Sequence, residues 1–469
     1  MTASTDAPPP AEDTAEGRAP VPAAAPRRGQ VLELRITDLA RAGRGVARHA
    51  GLVLFVDGAL PGERVRARVT EVRKAFAEAA TVAILDPSPH RTPPLCRHFG
   101  ECGGCDLQHL AIEAQGEAKR RQLEAALRRI AGLATATVGG TVRASEPYGY
   151  RFRMDFDWRP GDSGPILGLH RRHRGDAVVP LEECRIAGAV TADILRWAPG
   201  EAARRRLDAF DPDRRRGLLR RLSIQEARRT REVLVSVETG RGDPPALAAW
   251  AGALARRFPR VVGVARSELG RDGTPAGKSI LHGRDYLFEE VETDRFRIPS
   301  DAFFQPNPAA GALVRRHAVE ALATTPGRRV LELYGGVGFF TVAAVRAGLR
   351  VTMVESVRSA CAAARENLGE RGDSWRIVEG DVARRLPALL EEDWDAILVD
   401  PPRTGLPPEV TAGIAGARVT RLVYVSCDPG TLARDLGTLT AAGWRLSVVT
   451  PFDQFPQTEH LEAVAVLER

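Results

Sequence analysis

The last third of the chain repeats one pattern, in which a short apolar segment is followed by an amphipathic helical stretch. From about residue 306 onward the apolar segments are RRVLELYG, RVTMVES, DAILVDPP, RLVYVSCDP, WRLSVVTPF and HLEAVAVL. Unbroken Val, Leu and Ile runs are typical of strands buried on both faces, and parallel strands need long, usually helical, connections. The pattern therefore predicts an α/β fold over residues 306–469, with a doubly wound, mostly parallel, Rossmann-like sheet.

The 469 residues are enough for two to four domains at ~100–200 residues each. An apolar fraction of 43% and a charged fraction of 27% exclude a wholly disordered or fibrous protein. Residues 1–28, rich in Ala, Pro and Thr, are predicted to be a disordered tail. No run approaches ~18 apolar residues and no signal-peptide pattern is visible, which favours a cytoplasmic location with reduced thiols.

Residues 29–90 show short alternating strands separated by Gly and Pro. Five such strands predict a small, OB-like β-barrel of the kind that binds oligonucleotides, and an SH3-like structural barrel is the alternative. The net charge of +7 is consistent with an RNA partner but does not identify one.

Residues 91–305 are predicted to form a mixed α+β central domain. A helix over about 111–131 would place Leu123, Leu127 and Ile130 on its apolar face and Lys119 off that face. Residues 148–158 alternate between aromatic and charged side chains, as a half-buried strand does. Arg151 and Arg153 on its exposed side are candidates for phosphate contacts.

Several polar residues follow the predicted strands of the last domain, where ligands of open α/β sheets bind. The turn Tyr334-Gly335-Gly336-Val337-Gly338 would let a ligand approach the backbone, and Glu355 could accept hydrogen bonds from ribose hydroxyls. Because the turn is not GxGxxG, a mononucleoside-like cofactor such as S-adenosylmethionine is favoured over a dinucleotide.

Three further residues at strand ends could carry chemistry. Asp400 and Cys427 close two neighbouring strands, and this position favours a reactive thiol at Cys427 over a packing residue. Cys361, in an alanine-rich helix, is interpreted as packing. Glu459 precedes the last strand and could act as a proton acceptor beside Cys427, although an exposed strand-start carboxylate is the equal alternative.

The remaining cysteines, Cys96, Cys102, Cys105 and Cys184, supply four thiolates. Four cysteines can hold either a tetrahedral zinc ion or a [4Fe–4S] cluster, and the spacing alone favours zinc.

Five ordered motifs of the last third together resemble one enzyme family. They are SDAFFQPN, VLELYGGVGFF, LVDPPRTG, YVSCDPGTLARDL and PFDQFPQTEHLE. The chain resembles the RNA 5-methyluridine methyltransferases, which methylate uracil C5 in ribosomal or transfer RNA. Residues 43–65 and 96–110 resemble the TRAM and iron–sulfur modules of the ribosomal RNA branch, so the resemblance covers the chain from about residue 29 onward.

The resemblance implies roles for individual residues. Cys427 matches the nucleophile that adds to uracil C6, and Glu459 is assigned as the base that removes the C5 proton. Positions that bind S-adenosylmethionine in the family are matched by Gln305, Tyr334, Glu355, Asp381 and Asp400. Gly335 and Phe339 depart from the family's usual Cys and Asn in the glycine turn, and no cofactor contact is assigned to Phe339.

The resemblance also implies a [4Fe–4S] cluster on the four grouped cysteines. It favours ribosomal RNA, most of all 23S RNA, over transfer RNA as the partner. From the sequence itself, no membrane association is expected, and no obligate protein partner is evident. The alternatives are a transfer RNA uracil-C5 enzyme, a cytosine-C5 enzyme, and an RNA-binding protein without catalytic activity.

Overall fold

The computed structural model describes residues 25–144, 146–242, 244–270, 272–370 and 372–469. Residues 1–24, most of the predicted disordered tail, lie outside the described residues. The described chain forms two compact units. The first contains residues 25–40 and 44–88, and the second contains Arg41–Gly43 together with Pro89–Arg469. The predicted boundary between a central and a last domain at residues 305/306 stays a prediction.

The first unit is a six-stranded sheet in the order β1-β5-β6-β4-β3-β2. Its strands are β1 Val31–Arg35, β2 Asp38–Ala40, β3 Arg44–His49, β4 Leu52–Asp57, β5 Arg64–Val72 and β6 Phe76–Asp86. Alternation sets the two faces, because Val65, Ala67 and Val69 of β5 are buried while the arginines between them are exposed. The structure adds the three-residue strand β2 to the five strands that were predicted.

The helices of the second unit are separated by strands along most of its length. They are α1 Ile112–Ile130, α2 Ala189–Arg204, α3 Pro244–Arg257, α4 Pro308–Ala323, α5 Phe339–Arg346, α6 Arg358–Leu368, α7 Val382–Leu389, α8 Pro408–Gly416 and α9 Pro429–Ala441. Helix α1 matches the predicted helix in its bounds but not in its buried face. Lys119 is buried with Leu123 and Leu127, whereas Ile130 is 55% exposed. Lys119, Leu123 and Leu127 are spaced four residues apart, so their side chains lie along one stripe of the helix.

One sheet of the second unit is mainly antiparallel and has the order β10-β9-β8-β11-β12-β13-β14. The first strands of this unit are β7 Val142–Arg143, β8 Arg153–Gly161, β9 Gly164–Arg171, β10 Arg174–Pro180, β11 Leu219–Glu226, β12 Val233–Thr239, β13 Val261–Leu269, β14 Pro275–Gly283, β15 Tyr286–Val291 and β16 Asp294–Pro299. Strands β15 and β16 form a separate antiparallel pair. The predicted burial of Phe156 and Trp158 is confirmed, and the strand that carries them begins at Arg153.

The other large sheet has the order β19-β18-β17-β20-β21-β23-β22-β7. Its remaining strands are β17 Arg329–Leu333, β18 Arg350–Glu355, β19 Trp375–Glu379, β20 Ala396–Val399, β21 Arg421–Ser426, β22 Arg445–Asp453 and β23 Glu462–Glu468. Strands β17 to β21 pair in parallel, and β23 pairs antiparallel with both β21 and β22. The doubly wound α/β prediction is therefore confirmed.

Candidate active site

Strand order reverses between β17 and β20, which lie side by side although three helices and two strands separate them in the chain. From β17 the chain moves outward through β18 and β19, and from β20 it moves outward in the opposite direction. A crevice forms at such a point beyond the carboxyl ends of the strands. The predicted site residues Tyr334, Asp400 and Cys427 all follow strands that end here.

A pocket opens at this switch point. It is lined by Phe303, Phe304, Gln305, Tyr334, Gly335, Gly336, Val337, Phe339, Phe340 and Asp400. The turn after β17 lines the pocket with left-handed backbone, since Tyr334 has φ +65° and Gly336 has φ +54°. Left-handed backbone is unusual for a tyrosine and marks a constrained position. The structure thus brings three of the five predicted cofactor residues, Gln305, Tyr334 and Asp400, to one pocket.

Glu355 ends the adjoining strand β18, and Asp381 follows β19. The Glu355 carboxylate accepts hydrogen bonds from the backbone N–H groups of Gly336, Ser356 and Val357 at 2.6–2.9 Å. This carboxylate therefore fixes the glycine turn, and it retains acceptor capacity for a ligand. Asp381 is the N-cap of α7, where its carboxylate accepts from the backbone N–H of Arg384 at 3.1 Å.

Cys427 lies between the end of β21 and the start of α9. Asp428 caps that helix by accepting from the N–H groups of Gly430 and Thr431. Burial raises the pKa of the Cys427 thiol to about 12, and the negative charges of Glu462 and Asp400 raise it further. The guanidinium of Arg403 acts in the opposite direction. Within the described part of the chain Arg403 forms no ion pair, and its side chain is exposed.

Glu462 was not predicted from the sequence, yet the register of the sheet places it next to the thiol. Ser426 pairs with Ala463 in the antiparallel ladder, so the following residue, Cys427, comes opposite the preceding one, Glu462. Burial raises the pKa of both Glu462 and Asp400, and the negative charge of Asp400 raises the pKa of Glu462 further. A lone Glu at the start of the apolar run LEAVAVL was the signal in the sequence.

Glu459 lies three residues earlier, before β23. Its backbone N–H donates to Asp106 Oδ2 at 3.3 Å, and burial raises the pKa of its carboxyl group, with Asp106 adding to that effect. The carboxylates that act on the Cys427 thiol are Glu462 and Asp400. The assignment of Glu459 as the base stays a prediction, and the structure adds Glu462 as a second carboxylate for that role.

Two glutamines connect the pocket to Glu462. The side-chain amide of Gln454, which is fully buried, donates to the Gln305 side-chain carbonyl and lies 3.4 Å from Glu462 Oε2. Gln305 itself lines the pocket. The predicted cofactor residue is therefore joined to the carboxylate beside the thiol.

The two predicted phosphate contacts differ in their surroundings. The Arg153 guanidinium pairs with Asp155 at 3.0 Å and so is partly neutralised. The Arg151 guanidinium lies over the Phe455 ring at 5.6 Å, and it forms no ion pair with any described residue. Arg151 is thus the better placed of the two to accept an external anion.

The four grouped cysteines line one pocket, and all are free thiols. Burial raises the pKa of Cys184 to about 11, and the charges of Cys102 and Cys96 add to it. The backbone N–H of Gly104 donates to Cys102 Sγ at 3.4 Å. Among the described residues no three His, Cys, Asp or Glu side chains are grouped so as to hold a metal ion. A single tetrahedral zinc ion would need such a group, because its four sulfurs lie ~2.3 Å from the metal.

Comparisons with known proteins agree with this geometry. Residues 384–469 match the family described as tRNA (Uracil-5-)-methyltransferase, residues 27–82 match the TRAM domain, and residues 308–409 match Conserved hypothetical protein 95. An uncharacterized RNA methyltransferase of Gloeobacter violaceus is 35% identical over 96% of this chain and 99% of its own length. A protein of Alkalilimnicola ehrlichii named 23S rRNA (uracil(1939)-C(5))-methyltransferase is 35% identical over 93% of this chain and 96% of its own.

The chain belongs to the RNA (uracil-C5)-methyltransferase family. This methyltransferase also shares its fold with the Pyrococcus abyssi tRNA (uracil-54, C5)-methyltransferase, solved with S-adenosyl-L-homocysteine. The TM-score is 0.72 at 24% identity, over 93% of this chain and the whole of the other. The predicted family, fold class and enzyme class are confirmed: the protein is an S-adenosylmethionine-dependent methyltransferase that acts on uracil C5 in RNA. None of the described helices of this methyltransferase has the length and apolarity that a membrane span requires.

Proposed function

We propose that this methyltransferase methylates C5 of one uridine in 23S ribosomal RNA through a covalent bond between Cys427 and C6. The ribosomal substrate is supported by the Alkalilimnicola relative, which aligns over nearly its whole length. The covalent route is supported above all by the register that sets Cys427 opposite Glu462 beside the pocket containing Asp400. The predicted cytoplasmic location and a role in ribosomal RNA processing are part of this proposal.

Uracil C5 is a weak nucleophile, so the enzyme must first activate the ring. The Cys427 thiolate adds to C6, forming the S–C6 bond and shifting the electron pair of the C5–C6 double bond to C5. Gln305, Tyr334, Glu355, Asp381 and Asp400 would hold S-adenosylmethionine, whose sulfonium would supply the methyl group: the electron pair on C5 would form the new C–C bond as the S–CH3 bond breaks, leaving the thioether S-adenosylhomocysteine. A uridine in folded RNA must leave its stack for C6 to reach the thiolate.

A carboxylate then completes the reaction. It accepts the C5 proton, the C5–C6 double bond forms again, and the S–C6 bond breaks to return the thiolate. We assign this step to Glu462, because it lies opposite Cys427 in the sheet and because burial raises its pKa, which makes it a stronger proton acceptor than an exposed carboxylate. Arg403 favours the thiolate form of Cys427 by its positive charge.

Three substitutions test the roles. Cys427→Ala removes the nucleophile and is expected to abolish methyl transfer to 23S RNA transcripts. Glu462→Gln is expected to slow turnover by about 10²–10⁴-fold and to leave methylated RNA attached to the protein, visible as a slow band on a denaturing gel. Glu459→Gln is the matched control and should cause a much smaller loss. If Glu459→Gln instead caused the larger loss of turnover, Glu459 would be the base.

The substrate is tested separately by mapping 5-methyluridine in a deletion strain. Loss of a single site in 23S RNA is the expected result. Loss from transfer RNA, with ribosomal RNA unchanged, would contradict the ribosomal assignment.

We further propose that Cys96, Cys102, Cys105 and Cys184 hold a [4Fe–4S] cluster. The set fits because four free thiols surround one pocket and a backbone N–H group points at Cys102 Sγ, as is common around cluster sulfurs. The cluster would join residues 96–105 to the segment around Cys184.

Metal analysis of anaerobically purified protein tests this assignment. Four iron and four sulfide per chain are expected, with loss of both in Cys184→Ser. One zinc per chain without sulfide would contradict the cluster and favour a zinc site.

A further inference from the structure

A buried ammonium group joins helix α1 to the segment that leads into β23. Lys119 is 1% exposed, and its Nζ donates to Asp453 Oδ1 at 2.6 Å and to the Phe455 backbone carbonyl at 3.0 Å. Asp453 is fully buried at the end of β22. Burial lowers the pKa of Lys119, while the charges of Asp453, Asp106 and Glu459 raise it. The ammonium thus lies among carboxylates of the 453–460 segment and its neighbours.

A second connection comes from the same face of α1, four residues earlier. The side-chain amide of Gln115 donates to Gln457 Oε1 at 3.0 Å, and its carbonyl accepts from the Gln457 backbone N–H at 2.9 Å. Gln457 has φ +71° and is 3% exposed, so its backbone is held in a conformation that glutamine rarely adopts. The N–H groups of Asp106 and Leu107 both donate to the Gln457 carbonyl.

The 453–460 segment bears directly on the active site. Its residue Gln454 contacts Gln305 of the cofactor pocket and Glu462, which begins the next strand. Asp453, paired with Lys119, immediately precedes Gln454. A shift of this segment would therefore move Glu462 relative to Cys427 without displacing Cys427 itself, which lies between β21 and α9.

Stability alone does not explain such a pair. Two buried charges can often be replaced by apolar side chains with little loss of stability, because desolvation offsets much of their attraction. The carbonyl of Phe455 and the left-handed Gln457 instead require directed donors and acceptors. These contacts fix where the segment lies, and not only whether it packs.

We propose that Lys119, assisted by Gln115, is a positioning residue that holds the 453–460 segment so that the Glu462 carboxylate reaches the C5 proton. The proposal rests on the function proposed above. It affects the two halves of the reaction unequally, because Cys427 and the residues that line the cofactor pocket lie outside this segment, whereas Glu462 follows it closely in the chain. Proton removal also needs the held segment.

The test compares these halves in Lys119→Met. RNA containing 5-fluorouridine traps the covalent methylated adduct, because the fluorine at C5 cannot be removed as a proton is. Lys119→Met is expected to form this adduct at a rate within about threefold of the parent. On ordinary RNA its turnover is expected to fall at least tenfold, with methylated RNA accumulating on the protein. Arg120→Ala, a partly exposed residue of the same helix paired with Glu117, is the control and should change neither rate.

An equal fall in the rates of adduct formation and turnover would overturn the proposal, because a general loss of structure gives that result. Unchanged turnover would overturn it as well. If Lys119→Met does not fold, two variants replace it. Lys119→Met with Asp453→Leu leaves no unpaired buried charge, and Gln115→Ala leaves the ion pair intact; each is expected to slow turnover more than adduct formation. Absence of adduct with the parent protein would instead reject the proposed covalent function.

Discussion

At the scale of single residues, Glu332 is the least expected group near the cofactor pocket. It is 2% exposed on β17, and one carboxylate oxygen accepts from the Thr341 hydroxyl at 2.6 Å. Its other oxygen has no hydrogen-bond partner among the described residues. Burial raises the pKa of Glu332 to about 8, and the charges of Asp400 and Glu355 contribute to the rise. The contribution of Asp400 and Glu355 to this rise means that their charges create a negative potential here, which suits a cationic cofactor such as S-adenosylmethionine.

This carboxylate predicts how stability depends on pH. The pKa of Glu332 is raised from 4.5 to about 8 in the folded state, so that state holds the proton more tightly than the unfolded chain does. Its contribution to stability is complete below about pH 4.5 and is lost as the pH rises through about 8. Glu332→Gln, which cannot ionise, is therefore expected to reduce the fall in melting temperature of the cofactor-free protein between about pH 5 and about pH 9. Thermal denaturation monitored by circular dichroism measures this difference, and equal falls in both proteins would contradict it.

Residue roles could be predicted from the sequence only where a motif or a strand end fixed them. Cys427 and Asp400 follow their strands directly, so chain order alone placed them at the site. Glu462 lies opposite Cys427 through an antiparallel register between β21 and β23, and a register is not visible in a continuous apolar run. Lys119 was assigned to the polar side because it is charged, whereas a partner carboxylate from another element compensates its burial.

At the scale of elements, the start of β8 carries two arginines with different electrostatic surroundings. Arg153 is paired with Asp155, and its neighbour Ser223 also hydrogen-bonds that carboxylate. Arg151 precedes the strand, and its guanidinium lies over the ring of Phe455. Phe455 belongs to the segment that leads to the active site. An arginine without an ion pair among the described residues is the one whose charge remains for a phosphate.

We expect Arg151→Ala to weaken RNA binding and to reduce the slope of log affinity against log salt by about one. Arg153→Ala, two residues later at the start of β8, is the matched variant and should change the slope less, because Asp155 already neutralises Arg153. Filter binding of 23S RNA transcripts at several salt concentrations measures both slopes. A flat salt dependence in the parent protein would count against phosphate contacts altogether.

Elements were predicted well where periodicity was strong. The last sheet follows from its apolar runs, and α1 was predicted to within a residue at each end. The three-residue strand β2 was not predicted, because so short a segment has no detectable hydrophobic period. The addition of β7 to the edge of the last sheet also depends on tertiary contact, because only Val142 and Arg143 pair with β22.

At the scale of the whole molecule, composition excluded some classes of protein but did not identify the function. The net charge of +7 comes with many ion pairs on the protein itself, such as those of Arg153 and Arg221 across the exposed face of one sheet. Charge counted over the chain therefore overstates the charge available to RNA. The six cysteines were more informative, because their positions divide them between four thiols lining one pocket, Cys361 in a helix, and Cys427 at the active site.

The ion pair between Lys119 and Asp453 also sets an order of events during synthesis. The two residues are 334 positions apart in the chain, and a ribosome adds roughly 5–20 residues per second. Helix α1 therefore emerges tens of seconds before the carboxylate that compensates its lysine has been made. Until Asp453 has been made, burial of Lys119 would leave its charge without a partner, so we expect this face of α1 to dock late in synthesis, together with the 453–460 segment. A cell would thus hold no partly made chain with a working methyltransferase site.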